Sequence, residues 1–143
     1  MKLLILNGPN LNLLGVREPE LYGNRTYADL VDYCKARASE YGAEAEVRQT
    51  NHEGTLVDWI QEARGRFDAI VLNAAAYTHT SVAILDALKA VKLPVAEVHL
   101  TEPKEREPFR RVSYPGTIAK KTFSGRGFAS YGDAIAYFAT KEA

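Results

Sequence analysis

The sequence predicts an α/β protein built on a parallel sheet. Short apolar runs alternate with stretches of helical periodicity from one end to the other. Strands separated by helices are joined by right-handed crossovers, which makes neighbouring strands parallel. Two runs carry the marks of sheet edges. Ala43–Gln49 alternates in polarity, and the last strand holds Lys120 and Lys121 near its middle, where charge discourages unwanted pairing.

The elements follow in order. Lys2–Asn7 is the first strand, with Leu3-Leu4-Ile5-Leu6 as a buried run. The first helix runs from about Tyr27 to Tyr41, with Leu30, Val31, Cys34 and Ala38 at helical spacing; Thr26 caps it and Gly42 ends it. Ala43–Gln49 is the second strand. Thr50-Asn51-His52-Glu53 fits a capping box for a second helix reaching about Ala63, which buries Leu56, Val57 and Ile60. Ala69–Leu72 is the third strand, Ser81 to Val91 the third helix, and Pro94–Val98 the fourth strand. Residues 99–116 form a long connection with room for a short helix; Thr117–Phe123 is the fifth strand and Tyr131–Thr140 the last helix. With the second and fifth strands at the edges, the order is 2-1-3-4-5, that of a flavodoxin-like three-layer sandwich.

At 143 residues and 46% hydrophobic content the chain reads as one domain, 1–143, able to bury a core. Eighteen basic and eighteen acidic residues cancel, so no global field draws it to nucleic acid or an anionic membrane. Its apolar runs are too short to span a bilayer, and a strand beginning at the second residue leaves no room for a signal peptide. The single cysteine, Cys34, falls on an apolar helix stripe and reads as buried filler in a reducing, cytoplasmic compartment.

Residues 7–23 are the most telling segment. Strand-to-helix connections usually take about two to six residues. This one is far longer and carries three Asn, an Arg, a Tyr and turn-forming Gly and Pro. A long loop at the carboxyl end of a parallel strand is where open α/β sheets bind ligands. It reads as a site floor followed by a lid over about residues 11–25. In the order above, the first, third and fourth strands are neighbours, and all three deliver polar groups there: Asn7, Asn10, Arg17 and Tyr22; Asn73 and Tyr77-Thr78-His79-Thr80-Ser81; Glu97, His99 and Thr101.

Glu97 and His99 stand two apart on a strand and so share a face. A carboxylate beside an imidazole favours the imidazolium and fixes its tautomer, which suits His99 to general acid work. Tyr22 serves as a base only with a depressed phenol. Lowering it by about three units takes roughly 4 kcal/mol, and Arg17 is the nearby cation able to supply much of that. Asn10, Asn73 and Thr101 suit a polyhydroxylated substrate or an enolate oxygen. Each residue also has a plain reading: Asn7 and Asn10 as turn residues, Tyr22 as packing under the loop, His79 as part of a helix start, Glu97–His99 as a satisfied pair, and Arg17, Arg106 and Arg110 as solvated charges. His52 is assigned to the plain class.

The blocks Asn-Gly-Pro-Asn-Leu-Asn-Leu-Leu-Gly at 7–15, Arg17-Glu18-Pro19, Tyr22-Gly23, Asn51-His52-Glu53-Gly54, Tyr77-Thr78-His79-Thr80-Ser81 and Glu97-Val98-His99 together resemble type II 3-dehydroquinate dehydratase, over nearly the whole chain. The resemblance implies elimination of water from 3-dehydroquinate to give 3-dehydroshikimate, in the shikimate route to aromatic compounds, without metal or organic cofactor. It implies Tyr22 as base, Arg17 as its support, His99 as acid oriented by Glu97, and Asn10 at the enolate. It implies binding by Asn73, His79, Leu100, Thr101 and Arg110, and by Asp86 toward the site of a neighbouring subunit. The implied assembly is a dodecamer of four trimers.

The chain departs from the family pattern in three places. Ala74-Ala75 stand where Pro-Gly is usual, Glu102-Pro103-Lys104 where Asn-x-His is usual, and Lys120-Lys121 where a small apolar pair is usual. Two other functions compete. A flavin mononucleotide module needs a Ser/Thr-rich phosphate loop, which Asn7-Gly8-Pro9-Asn10 lacks. A metal-dependent hydrolase using His79, His99 and Glu97 leaves Tyr22 and Arg17 idle.

Overall fold

The computed structural model describes residues 1–16, 20 and 24–140. Five parallel strands, β1 (Lys2–Asn7), β2 (Glu44–Gln49), β3 (Ala69–Asn73), β4 (Val95–His99) and β5 (Lys121–Ser124), lie in the order β2-β1-β3-β4-β5. Helices α1 (Tyr27–Glu40), α2 (Glu53–Glu62), α3 (Val82–Val91) and α4 (Phe128–Ala139) cover the two faces. This is the flavodoxin-like arrangement expected from the sequence.

Strand alternation divides the core in two. Leu3, Ile5, Val71 and Val98 pack against Leu30 and Cys34 of α1 and Ile135 and Phe138 of α4. Leu4, Leu6, Leu72 and Val95 point the other way, onto Leu56 and Ile60 of α2 and Ile84 and Leu88 of α3. β1, β3 and β4 are buried on both faces, as strands covered on both sides must be, and each fully buried aliphatic side chain stabilises the fold by about 1.5–3 kcal/mol. Cys34 is fully buried and burial pushes its thiol up to about 12, so it is inert filler as expected.

The ends of the elements repay attention because they carry the site. β3 and β4 each run one residue further than the pattern suggested. Asn73 pairs in register with Asn7, and His99 with Ser124, so these polar side chains stand on the sheet itself. Thr26 caps α1 in a full capping box with Asp29, and Gly42, at φ 70°, follows its end. The box expected at 50–53 does not form. His52 takes the cap position without a side-chain bond, and the Thr50 hydroxyl instead accepts from the His52 amide at 3.1 Å.

The fifth strand is shorter than expected. Pro115 starts a tight turn whose carbonyl takes the amides of Ile118 and Ala119, so Thr117–Ala119 are wound away from the sheet. Lys120 therefore precedes β5, and Lys121 opens it. The last helix begins earlier, at Phe128, because Phe128 is buried and Gly127 makes the turn into it. Residues 99–116 contain two short 3₁₀ turns, Pro103–Glu105 and Pro108–Arg111, where one short helix was anticipated.

Candidate active site

The carboxyl ends of β1, β3 and β4 meet around a cleft of about 270 Å³. Its floor is the join between the turns after β1 and β3. The Gly8 amide donates to the Asn73 carbonyl at 2.8 Å, and a Cβ on Gly8 would lie 2.4 Å from the Ala74 carbonyl oxygen. Only glycine permits that approach. Asn10 follows at φ 72°, a left-handed conformation that asparagine tolerates, and its amide donates to Asn51 Oδ1 at 3.0 Å. Asn51 also takes Gln49 Nε2 on that oxygen, at 3.1 Å, and the Tyr77 hydroxyl on its carbonyl, at 2.8 Å. The Asn10 turn is thereby braced from two sides.

Behind this floor, on the α4 face, Asn7 and Asn73 share one buried phenol. Tyr131 donates to Asn7 Oδ1 at 2.6 Å and accepts from Asn73 Nδ2 at 2.8 Å. Complete burial holds the Tyr131 hydroxyl well above its ordinary pKa, so it stays a neutral donor. Asn7 is fully buried in this arrangement and its role is structural. Asn73 lines the cleft, and its Oδ1 also accepts from the Ala75 amide at 3.1 Å. Ala75 sits at φ 52°. Where the family pattern has glycine, this chain holds an alanine in the left-handed region, at a cost of about 1–2 kcal/mol.

On the opposite face of the sheet, β4 carries a carboxylate–imidazole pair. His99 Nε2 lies 2.9 Å from Glu97 Oε2, and both side chains are nearly buried. The Ser113 hydroxyl also donates to Oε2, and Thr122 donates to Oε1 at 2.8 Å. Burial alone would raise the Glu97 carboxyl; the bonds and charge of His99, with those from Ser113 and Thr122, outweigh it and hold the group below the usual glutamate value. An anionic Glu97 can only accept, so His99 Nε2 bears a proton toward it and Nδ1 is the remaining ring nitrogen.

The outer wall comes from the turn after β3 and the long connection after β4. His79 Nδ1 donates to the Val112 carbonyl at 2.7 Å, which fixes its tautomer and leaves Nε2 as an acceptor. Arg110 reaches the cleft while Glu107 holds its Nε at 2.8 Å. Arg106 lines the cleft too. Leu100 and Thr101 continue from β4 into the lining, with their carbonyls bonded to the amides of Gly127 and Gly125.

Of the residues singled out from the sequence, Asn10, Asn73, His79, His99, Leu100, Thr101 and Arg110 line one cleft, and Glu97 stands directly behind His99. Asp86 does not join them. It lies on the exposed side of α3, outside the lining of its own chain's cleft. Arg17 and Tyr22, in the middle of the expected lid, lie outside the described residues. The lid's first stretch is anchored, since Leu11 and Leu14 are buried in the core. Among the described residues no group of three or more His, Cys, Asp or Glu gathers to hold a metal ion.

Five residues that the sequence reading did not assign to the site contribute to it. Arg106 closes the turn at Pro103–Glu105 and Arg110 lies in the next, Pro108–Arg111, and both reach the cleft. Gln49 and Asn51 brace Asn10 from β2's end. Ser113 and Thr122 hold Glu97, and nothing local marks them, because the partner is 16 and 25 residues away.

Residues 1–139 match the family model described as Dehydroquinase class II. The chain is 59% identical over 127 residues to a 3-dehydroquinate dehydratase of Phenylobacterium zucineum, covering 89% of this chain and 88% of the relative. It is 55% identical over 137 residues to 3-dehydroquinate dehydratase 2 of Pseudomonas putida, covering 96% and 92%. The crystal structure of a type II dehydroquinase from Butyrivibrio crossotus superposes with a TM-score of 0.95 at 42% identity, covering 99% of this chain and 98% of that one.

Proposed function

Since this chain belongs to the class II dehydroquinase family, we propose that it is a hydro-lyase converting 3-dehydroquinate to 3-dehydroshikimate and water. The observation that carries the reading is the buried Glu97–His99 pair at the edge of a cleft whose other polar lining is Asn10, Asn73, His79, Thr101, Arg106 and Arg110.

In the proposed mechanism Tyr22, supported by Arg17, takes the proton alpha to the ketone. The electron pair moves onto the carbonyl oxygen as an enolate, which Asn10 stabilises through a water. Collapse of the enolate breaks the bond to the C1 hydroxyl while His99 gives that oxygen a proton, so water leaves and a conjugated enone remains. The acid is Nδ1–H of the imidazolium, with Glu97 holding Nε2. Asn73 and His79 hold the hydroxyls, the amides of Leu100 and Thr101 hold the carboxylate, and Arg110 sets its charge against the substrate's. Arg106, in the same lining, adds a second guanidinium. Neither arginine forms an imine, and no lysine lines the cleft among the described residues. The proposed reaction needs no Schiff base, metal or organic cofactor, as the family resemblance implies.

The proposed assembly is a dodecamer of four trimers in which Asp86 completes a neighbour's site. In support, Asp86 is exposed on α3 beside Val82, an aliphatic side chain half exposed at 50%. The proposed location is the cytoplasm; no helix among the described residues is long and apolar enough to cross a membrane.

The deciding experiment adds 3-dehydroquinate and follows the ultraviolet absorbance of the enone. A rise that survives borohydride and chelator is expected; no rise sinks the reading, and irreversible loss with borohydride points to an imine. Tyr22→Phe and Arg17→Ala are expected to cut turnover far more than affinity for a substrate analogue.

A further inference from the structure

The connection from Val112 to Gly116 touches one imidazole of the cleft directly and reaches the other through its carboxylate. The Val112 carbonyl accepts from His79 Nδ1, and the next residue's hydroxyl donates to the carboxylate that holds His99. We infer that Ser113 is a positioning residue for His99: acting through Glu97, it fixes the orientation and protonation pattern that the proposed acid needs. The inference rests on the functional reading above for its role in turnover, and on geometry alone for its effect on Glu97.

The geometry makes Ser113 a directed donor. Its oxygen accepts the Gly116 amide at 2.9 Å, so the hydroxyl proton is turned toward Glu97. The Gly116 amide comes this near only because position 116 has no side chain. A Cβ there would lie 2.8 Å from Ser113 Oγ and 2.9 Å from Glu97 Oε1. The segment is tied down from behind by the Tyr114 amide, which donates to the Thr78 carbonyl at 3.0 Å. Ser113 and His99 Nε2 therefore meet on one oxygen, Oε2, while Thr122 holds the other. A carboxylate whose oxygens are both held cannot rotate, and His99 inherits that fixity. The remaining charged groups around the chamber that Glu97 shares are Glu102, Lys104, Arg110 and Arg111.

The test compares Ser113→Ala, Ser113→Thr and Thr122→Val in the full chain, reading kcat and KM against pH and, without substrate, the Glu97 carboxyl titration by carbon NMR. Ser113→Ala is expected to lower kcat about tenfold, with KM within about twofold, and to move the Glu97 midpoint and the acid limb of the kcat profile upward by about one pH unit. Ser113→Thr, which keeps the hydroxyl, is expected to restore both. Thr122→Val, whose hydroxyl comes from an exposed edge, is expected to move them the same way by less, and supplies the readout should Ser113→Ala not fold. An unmoved Glu97 titration in Ser113→Ala or in its stand-in overturns the inference. If the unaltered chain fails to dehydrate 3-dehydroquinate, the functional reading falls, and the NMR titration still decides whether Ser113 governs Glu97.

Discussion

Two buried polar clusters sit at the same end of the sheet, on opposite faces, and they spend their hydrogen bonds differently. On the α4 face, Asn7, Tyr131 and Asn73 are neutral and largely satisfy one another. On the α2 and α3 face, Glu97 is charged and fully bracketed, yet the imidazole it holds keeps a ring nitrogen for the cleft. Burial of polar groups is common to both. What separates a scaffold from a reactive group here is a fixed charge with an unspent partner. The first cluster sets where the floor lies, and in the proposed mechanism the second acts across it.

The comparison breaks if the two faces respond alike to mutation. His99→Ala is expected to reduce turnover by roughly a hundred- to ten-thousand-fold while the unfolding midpoint in urea barely moves. Tyr131→Phe is expected to do the reverse. It takes the phenol away from Asn7 Oδ1 and Asn73 Nδ2, at about 1–3 kcal/mol each, while His99 and Glu97, on the other face, keep their bonds. Loss of turnover in Tyr131→Phe with stability intact would erase the distinction.

Acid sharpens it. The folded protein holds Glu97 below its ordinary value, so the unfolded chain binds this proton first as pH falls. The carboxylate therefore contributes stability that is complete above the usual glutamate range and is lost as pH drops through the lowered value. Urea unfolding at successive pH values is expected to show this loss, and Glu97→Gln to flatten it. The neutral cluster has no corresponding pH dependence in that range. The smallest effect belongs to Ala75→Gly. Relief of the left-handed strain, partly offset by the extra freedom of glycine in the unfolded chain, is expected to raise stability by under about 1 kcal/mol. A fall in stability would mean that the strand-end turn does not strain this alanine.

The sheet order, the helices and most of the cleft were legible in the sequence because they rest on local signals. Apolar runs, the Thr26 cap and the polar residues just past strand ends announce themselves within a few positions. His99 and Glu97 were legible as a pair because a strand places residues two apart on one face. Tyr131, Ser113 and Thr122 were not, since each meets its partner only after a crossover brings distant segments together. Asn7 misled for the same reason: its appearance at a strand end gave no hint of a phenol 124 residues away. The fifth strand began late because Pro115 imposed a turn that hydrophobic pattern does not register. Asp86 lies outside the lining of its own chain's cleft, and a role toward a neighbouring subunit is part of the proposed assembly alone.

Gly8 makes no side-chain contact, and any measure of importance that tallies contacts would pass over it. Yet the turns carrying Asn10 and Asn73 close on each other only because that position holds no carbon beyond its Cα. In a deep mutational library it should therefore behave as a site with one permitted letter, as intolerant to alanine as to tryptophan. Surrounding aliphatic positions, which lose volume by degrees, should grade smoothly. The floor of this cleft is shaped by an omitted methyl group, and no substitution at that position can adjust it by degrees.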